Sequence, residues 1–265
     1  MCRASGARIC HGMRKPAHVI EKERRRKASA RETLWLFGLH AVSAALANPR
    51  RERLRLVATR NAVERLGDLH GMEPEIADAR SFPVPLDPGS VHQGAAMEVR
   101  PLDQPALDEV ADGRPLVMLD RVSDPHNVGA ILRSAEVFGA AAVIAPARHS
   151  APETGALAKT ASGALERMPY LRPVNLSEAM RRAQALGYEC IGLAGEAESE
   201  IGEVLTAGRP VALVLGAEGP GLRQLTRETC DRLARIGPAG GATGGFASLN
   251  VSNAAAVALF AATRR

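Results

Sequence analysis

Residues 210–226 read PVALVLGAEGPGLRQLT, and this stretch decides the fold. Six apolar or small residues in a row run straight into a glycine-rich turn. A run without polar alternation suits a strand covered on both faces, as in a parallel sheet. Three other segments share that character: PLVMLD at 115–120, AAVIAP at 141–146 and YECIGLAG at 188–195. Between them lie segments with helical spacing, VGAILRSAEVF at 128–138 and LSEAMRRAQAL at 176–186, with Asn175 placed to cap the second. Strand, helix, strand at this interval predicts a doubly wound α/β sheet from residue 115 to the end. Ligands of such sheets sit beyond the carboxyl ends of the strands, so the loops there are the place to look for chemistry.

Upstream the pattern is smaller in scale. The spacing predicts a short element at Leu34–Phe37 and a helix over Leu39–Ala47, stopped by Asn48 and Pro49. A strand is expected over 53–60, a helix in NAVERLGDLHGM, and a last strand ending near 102. Four segments follow: a basic tail at 1–31 that reads as disordered, an α/β unit at 32–102, a linker at 103–114 and the sheet domain at 115–265.

Charge belongs to the tail. The chain has 34 Lys and Arg against 29 Asp and Glu, but residues 1–30 alone hold nine basic side chains and two Glu. The rest is slightly acidic, so charge by itself does not make this a nucleic-acid protein. No segment has the length of a membrane span, and no apolar segment follows the basic start as a secretory signal requires. The four cysteines lack CxxC spacing, which argues against a zinc site and points to a cytoplasmic setting.

Three loops carry candidate chemistry. In LDRVSDPHNVGAILRSA, 119–135, the turn at Pro125 leads into a helix that Asn127 is placed to cap, with Arg133 further along it. Gly129 would allow close approach of another backbone or a ligand. In GAEGPG, 216–221, Glu218 stands among three glycines; this is neither a G-x-G-x-x-G fingerprint nor a P-loop. In SLNVSNAAAVALF, 248–260, Ser248 or Asn250 is placed to cap a helix so apolar that it must be buried inside the domain or against another subunit.

Taken in order, these segments resemble the three motifs of the SpoU/TrmH class of RNA ribose 2′-O-methyltransferases in the SPOUT superfamily. FGLHAVSAAL and VHQGAAMEV resemble the start and end of an L30e-like RNA-binding domain, found in the branch that modifies guanosine in 23S ribosomal RNA. The resemblance implies a C-terminal α/β fold with a parallel sheet and a deep trefoil knot, preceded by the small L30e-like domain. It implies S-adenosylmethionine as cofactor, S-adenosylhomocysteine as product and no metal. Arg133, Asn127, Glu218, Ser248 and Asn250 match the catalytic positions. Gly216, Ala217, Gly219, Ile236 and Leu249 match the cofactor-binding ones. The implied partners are 23S ribosomal RNA or its precursor and a second copy of the chain, with the site near the dimer interface. The alternatives are the same chemistry on a transfer RNA and a non-catalytic RNA-binding or ribosome-binding relative. One departure stands out: Gly237 replaces the family's usual Pro, and GPAGGATGGFA, 237–247, is longer and richer in glycine.

Overall fold

The computed structural model describes residues 32–87, 89–237 and 249–264. The first unit is a four-stranded sheet, β1 (Leu34–Phe37), β2 (Arg53–Ala58), β3 (Pro74–Ile76) and β4 (Ala95–Val99), in the order β1-β4-β2-β3. β4 is antiparallel to both neighbours and β3 is parallel to β2. Helices α1 (Leu39–Ala47) and α2 (Arg60–Leu66) complete it. The strand expected over 53–60 stops two residues early, because Thr59 accepts a hydrogen bond from the Ala62 amide and begins α2.

The expected linker is partly helical. Its α3 (Leu107–Val110) packs near α6 (Leu176–Ala185), and Arg182 of α6 holds Asp108 with two nitrogens.

The second unit is a six-stranded, all-parallel sheet in the order β10-β8-β9-β5-β6-β7. Its strands are β5 (Leu116–Asp120), β6 (Ala142–Ile144), β7 (Tyr170–Leu171), β8 (Glu189–Leu193), β9 (Val211–Gly216) and β10 (Arg232–Ala234). The central strands bury both faces. Val117 and Leu119 join one apolar cluster, while Leu116 and Met118 join the other. This is the alternation expected of a pleat with helices on each side. The helices are α4 (Pro125–Val137), α5 (Gly155–Ala161), α6, α7 (Ile201–Val204), α8 (Gln224–Thr229) and α9 (Val251–Thr263). Asn175 caps α6 through the Ser177 amide, as its position predicts. β7 and α5 went unread in the sequence; the strand has only two residues, too few for a period to show.

One expectation changes. Asn127 does not cap α4: Asp124 does, accepting from the His126 amide, with Pro125 at the first helical position. The last helix is buried along one face within the chain. Val251, Ala255, Ala258, Leu259 and Ala262 are buried, but Val257 and Phe260 remain 42% and 52% exposed. The expected knot depends on the path of residues 238–248, which lies outside the described residues, as does the basic tail. Among the described residues no helix is long and apolar enough to cross a membrane.

One apolar cluster runs through both units. A buried polar knot accompanies it. Arg51, just after α1, has a fully covered side chain. It meets Glu166 at 2.6 Å and Glu153 at 2.9 Å, both in the second unit, and donates to the Arg100 carbonyl at 2.7 Å. Asn48 adds a 2.8 Å bond to Glu166. Burial pulls the guanidinium pKa down, but the hydrogen bond to Glu166 and the nearby carboxylates outweigh it and leave it raised. Burial holds the Glu153 carboxyl above its usual range despite Arg51.

Removing one partner of a buried ion group strands the others, at a cost of about 3–5 kcal/mol. Arg51→Met therefore lowers the melting temperature by roughly 6–20 °C, at about 2–4 °C per kcal/mol for a chain of this size. The sign of its pH dependence follows from the carboxylates. Without Arg51 the folded-state pKa of Glu153 rises further above its unfolded value. The loss is then largest at neutral and alkaline pH and shrinks as pH falls through that raised pKa. Thermal denaturation of Arg51→Met from pH 5 to pH 8 measures both.

Candidate active site

The site lies beyond the carboxyl ends of β5 and β9. At the end of β9 the chain doubles back, with Ala217 and Gly221 bridged and the Gly221 amide donating to the Ala217 carbonyl at 2.9 Å. A Cβ on Gly216 would lie 2.1 Å from the Gly221 carbonyl carbon, so position 216 has no room for a side chain. Gly219 and Gly221 have φ of +82° and +67°, in the region glycine enters without strain. The turn presents Glu218 to solvent.

Glu218 gathers the other motifs. Its Oε1 accepts from Asn250 Nδ2 at 2.6 Å and from Asn127 Nδ2 at 3.2 Å. Asn250 Nδ2 also donates to Asn127 Oδ1 at 2.9 Å. The orientation of Asn250 follows from its place at the start of α9. Its Oδ1 accepts from the Ser252 amide at 2.9 Å and from the Ser252 hydroxyl at 2.6 Å, which turns the Nδ2 toward Glu218. Asn127 is free for this because Asp124 takes the capping role. Its place in the first turn of α4 aims it across at the other two.

The other expected residues are distributed as follows. Arg133 is exposed, two turns along α4 from Asn127, roughly 9 Å along the axis. It joins no hydrogen bond or ion pair among the described residues, so it stands outside the trio. Gly216 and Ala217 are half-buried at the end of β9, and Gly219 is exposed. Ile236 follows β10 and packs against the apolar cluster, and Leu249 is 48% exposed beside Asn250. Ser248 lies outside the described residues. Gly129 serves the packing of α4 on α5, where an added Cβ would lie 2.7 Å from Thr160 Cβ and 2.9 Å from the Ala161 amide.

Two features were missed. Asp120, the last residue of β5, is fully buried and accepts from the Arg223 amide at 2.9 Å and from Arg223 Nε at 2.7 Å. It staples the end of β5 to the loop that carries Glu218. The signal was present: a carboxylate closing an apolar strand needs a partner. The second feature explains the glycine at 237. Its amide donates to Glu200 Oε2 at 3.1 Å, a bond that a proline could not make. Glu200 also takes Arg235 Nε at 2.7 Å, and these bonds, the Arg235 one first, hold its carboxyl below the usual range.

A parallel sheet with its polar cluster at the carboxyl ends of the strands defines an α/β enzyme whose site is built from three distant loops. Solved structures share this fold. The SpoU methyltransferase AviRb from Streptomyces viridochromogenes, in complex with the cofactor AdoMet, superposes with a TM-score of 0.73 at 24% identity, covering 94% of this chain and 98% of that one. An AdoMet-bound rRNA methyltransferase from Sinorhizobium meliloti gives 0.72 at 24% identity, covering 92% and 91%.

The model of the SpoU rRNA methylase family matches residues 114–260, and the chain belongs to that family. Among its relatives are the 23S rRNA (guanosine-2′-O-)-methyltransferases RlmB of Photobacterium profundum and Escherichia coli K12. They are 38% and 39% identical to it; each match covers 87% of this chain, and 97% and 98% of the respective relative.

Asn250→Ser separates the two tasks of the asparagine. Serine caps a helix about as well, so the cap itself costs little and the melting temperature falls by no more than roughly 3–12 °C, the share of the lost Glu218 bond. The charge-assisted bond to Glu218 is lost, worth about 1.5–3 kcal/mol, and methyl transfer falls about ten- to hundredfold. Thermal denaturation alongside a tritiated-methyl assay reads both.

Proposed function

We infer that this chain transfers a methyl group from S-adenosylmethionine to the ribose 2′-hydroxyl of a guanosine in 23S ribosomal RNA or its precursor, working in the cytoplasm. The observation that carries the reading is the convergence of Asn127, Glu218 and Asn250, 123 residues apart at the extremes, into one hydrogen-bonded cluster. Relatives of nearly the same length, named for this activity on 23S rRNA, support the choice of substrate.

In this reading residues 115–265 carry the chemistry, 103–114 join the units and 32–102 bind the RNA substrate. Gly216, Ala217, Gly219, Ile236 and Leu249 hold the cofactor. The residues at hand suit such a group: at Gly195, Gly219 and Gly221 nothing lies within 4 Å of where a Cβ would stand, which leaves backbone at the ends of β8 and β9 open to a ligand. Bound S-adenosylmethionine supplies a methyl group on a positively charged sulfur, which departs as a neutral thioether when the S–C bond breaks.

The protein must bring the ribose oxygen into line and assist loss of its proton. Glu218, fixed by two amides, sets the positions of Asn127 and Asn250, and Ser248 belongs with them. Arg133 keeps its donors for the substrate. A guanidinium is a poor base, because it would have to give up a proton from a very high-pKa group. Its planar fork suits a different task, stabilising the developing alkoxide or clamping the adjacent phosphate. No metal is required in this scheme.

The active form is a homodimer with the site near the interface. Val137, at the end of α4, is 77% exposed, and beside it Phe138 packs edge-on against Phe260 of α9 at 6.1 Å between ring centroids. With Val257 these side chains form an apolar face on two adjacent helices, of the kind a symmetric dimer covers.

Removing a preorganised donor of this type costs about 10²–10³ in rate. Arg133→Ala lowers kcat by that factor while calorimetric binding of S-adenosylmethionine stays within about twofold. Arg133→Lys remains impaired, because an ammonium cannot reproduce the fork. Lysine activity near the parent level would refute the clamp. Mapping of 2′-O-methyl sites after labelling total RNA tests the substrate; label confined to transfer RNA would overturn that part. Phe260→Asp shifts the mass measured by light scattering from dimer to monomer and abolishes transfer.

A further inference from the structure

The arginines of the second unit fall into two groups. Most are matched to carboxylates: Arg114 to Asp112, Arg167 to Glu136, Arg182 to Asp108, Arg209 and Arg232 to Glu189, Arg223 to Asp120, Arg227 to Glu196 and Arg235 to Glu200. Arg121, Arg133, Arg148, Arg181 and Arg264 are exposed and joined to no carboxylate among the described residues, and of these Arg121 and Arg148 are the pair on neighbouring loops. Both sit at the carboxyl edge of the sheet, Arg121 directly after β5 and Arg148 on the loop after β6, with exposed His149 next to it.

These two loops are neighbours. β5 pairs with β6, and beyond their ends the Ala151 amide donates to the Val122 carbonyl at 3.3 Å. Arg121 is next in sequence to that carbonyl, and His149 is two residues from that amide. The loop after β6 then runs to Glu153, which Arg51 of the first unit holds. Following the chain, the basic positions lie between the clamp to the first unit and the turn at Asp124 that begins α4 and carries Asn127.

The backbone adds a second observation. Arg121 and His149 both have φ of +62°. Only five described residues other than glycine have positive φ, and the other three serve local structure. Ser162 caps α5, Gln93 accepts from the Leu39 amide, and His70 follows a turn in which its amide is held by Asp68. Arg121 and His149 have no such task. Residues kept in this region without a local reason concentrate where a ligand is bound.

We propose that Arg121 and Arg148, flanked by His149, form a rim that grips the phosphodiester backbone of the substrate RNA beside the target nucleotide. This rests on the RNA methyltransferase reading and adds to it the place where the strand is held. Unpaired guanidiniums suit the task because a phosphate then need not displace a resident carboxylate. Planar donors also match two phosphate oxygens at once. The chain outside its tail is slightly acidic, so its RNA contacts must come from local groups of this kind.

The test uses the full-length chain and an unmodified 23S ribosomal RNA transcribed in vitro. The double variant Arg121→Gly with Arg148→Ala removes both donors, and glycine accepts the positive φ at 121. Arg181→Ala is the matched control, since Arg181 is exposed on α6 and likewise joined to no carboxylate among the described residues. Binding is measured across a salt series. Each phosphate contact contributes about 0.7–0.9 to the slope of log K against log salt, so the double variant should be shallower by about 1.4–1.8. Its Kd for the transcript should rise about tenfold at near-physiological salt, uniformly across sequence variants. S-adenosylmethionine affinity and melting temperature should match the parent, and Arg181→Ala should keep the parent slope. A double variant with the parent slope, or with no greater change than Arg181→Ala, overturns the rim. Failure of the underlying reading looks different: the parent protein would bind the transcript yet transfer no labelled methyl to it, and the slope would still decide the phosphate contacts.

Discussion

At Gly216 the chain turns back on itself so tightly that a methyl group there would overlap the backbone of Gly221. The rest of the site depends on that constraint. β9 lies between β5 and β8, buried on both faces, and cannot be moved without opening the sheet. A fold-back at its end therefore puts Glu218 at a fixed point above the strand ends. From there one carboxylate oxygen receives amides from α4 and from the start of α9. The pair between buried Asp120 and exposed Arg223 pins the far side of the loop to β5.

The division of labour among polar residues follows burial. Where carboxylates and guanidiniums are fully covered, as in the group of Arg51, Glu153 and Glu166, they are matched and hold the two units together. In the exposed trio two asparagine amides and one carboxylate hold one another at the carboxyl ends of the strands. Arg133 is exposed at the surface and joins no hydrogen bond or ion pair among the described residues. One side chain can also do both kinds of work. Asn250 caps α9 with its oxygen and reaches Glu218 with its nitrogen, so the start of the helix and the site are ordered together.

Much of this was legible beforehand. The central strands β5, β8 and β9 announced themselves as apolar runs because both their faces are covered. The three motif loops were found because polar or glycine-rich residues directly after such runs have no place in a core. The limits were also physical. Asn127 was read as a cap because Asn and Asp share that propensity, and only the path of the turn decides which of Asp124 and Asn127 stands at the helix start. A strand of two residues such as β7 carries no periodicity. The last helix reads as buried inside the domain or against another subunit because Ala, Val, Leu and Phe are apolar wherever they point; only the fold shows that Phe260 and Val257 stay on its outer face within the chain.

The sequence by itself determined the class of fold, the order of the motifs and the candidate residues of the site. Each of these is carried by local pattern: runs, turns and spacing. Tertiary structure alone decided which of those residues meet. Asn127, Glu218 and Asn250 come together because β5 and β9 are neighbours in the sheet and α9 packs against α4, contacts with no trace in local sequence. It also decided that Gly237 is tied to Glu200, and that Arg121 and His149 share an edge after two adjacent strands. Pairing between strands is a long-range choice, made by the burial of whole faces, and no short window of residues contains it.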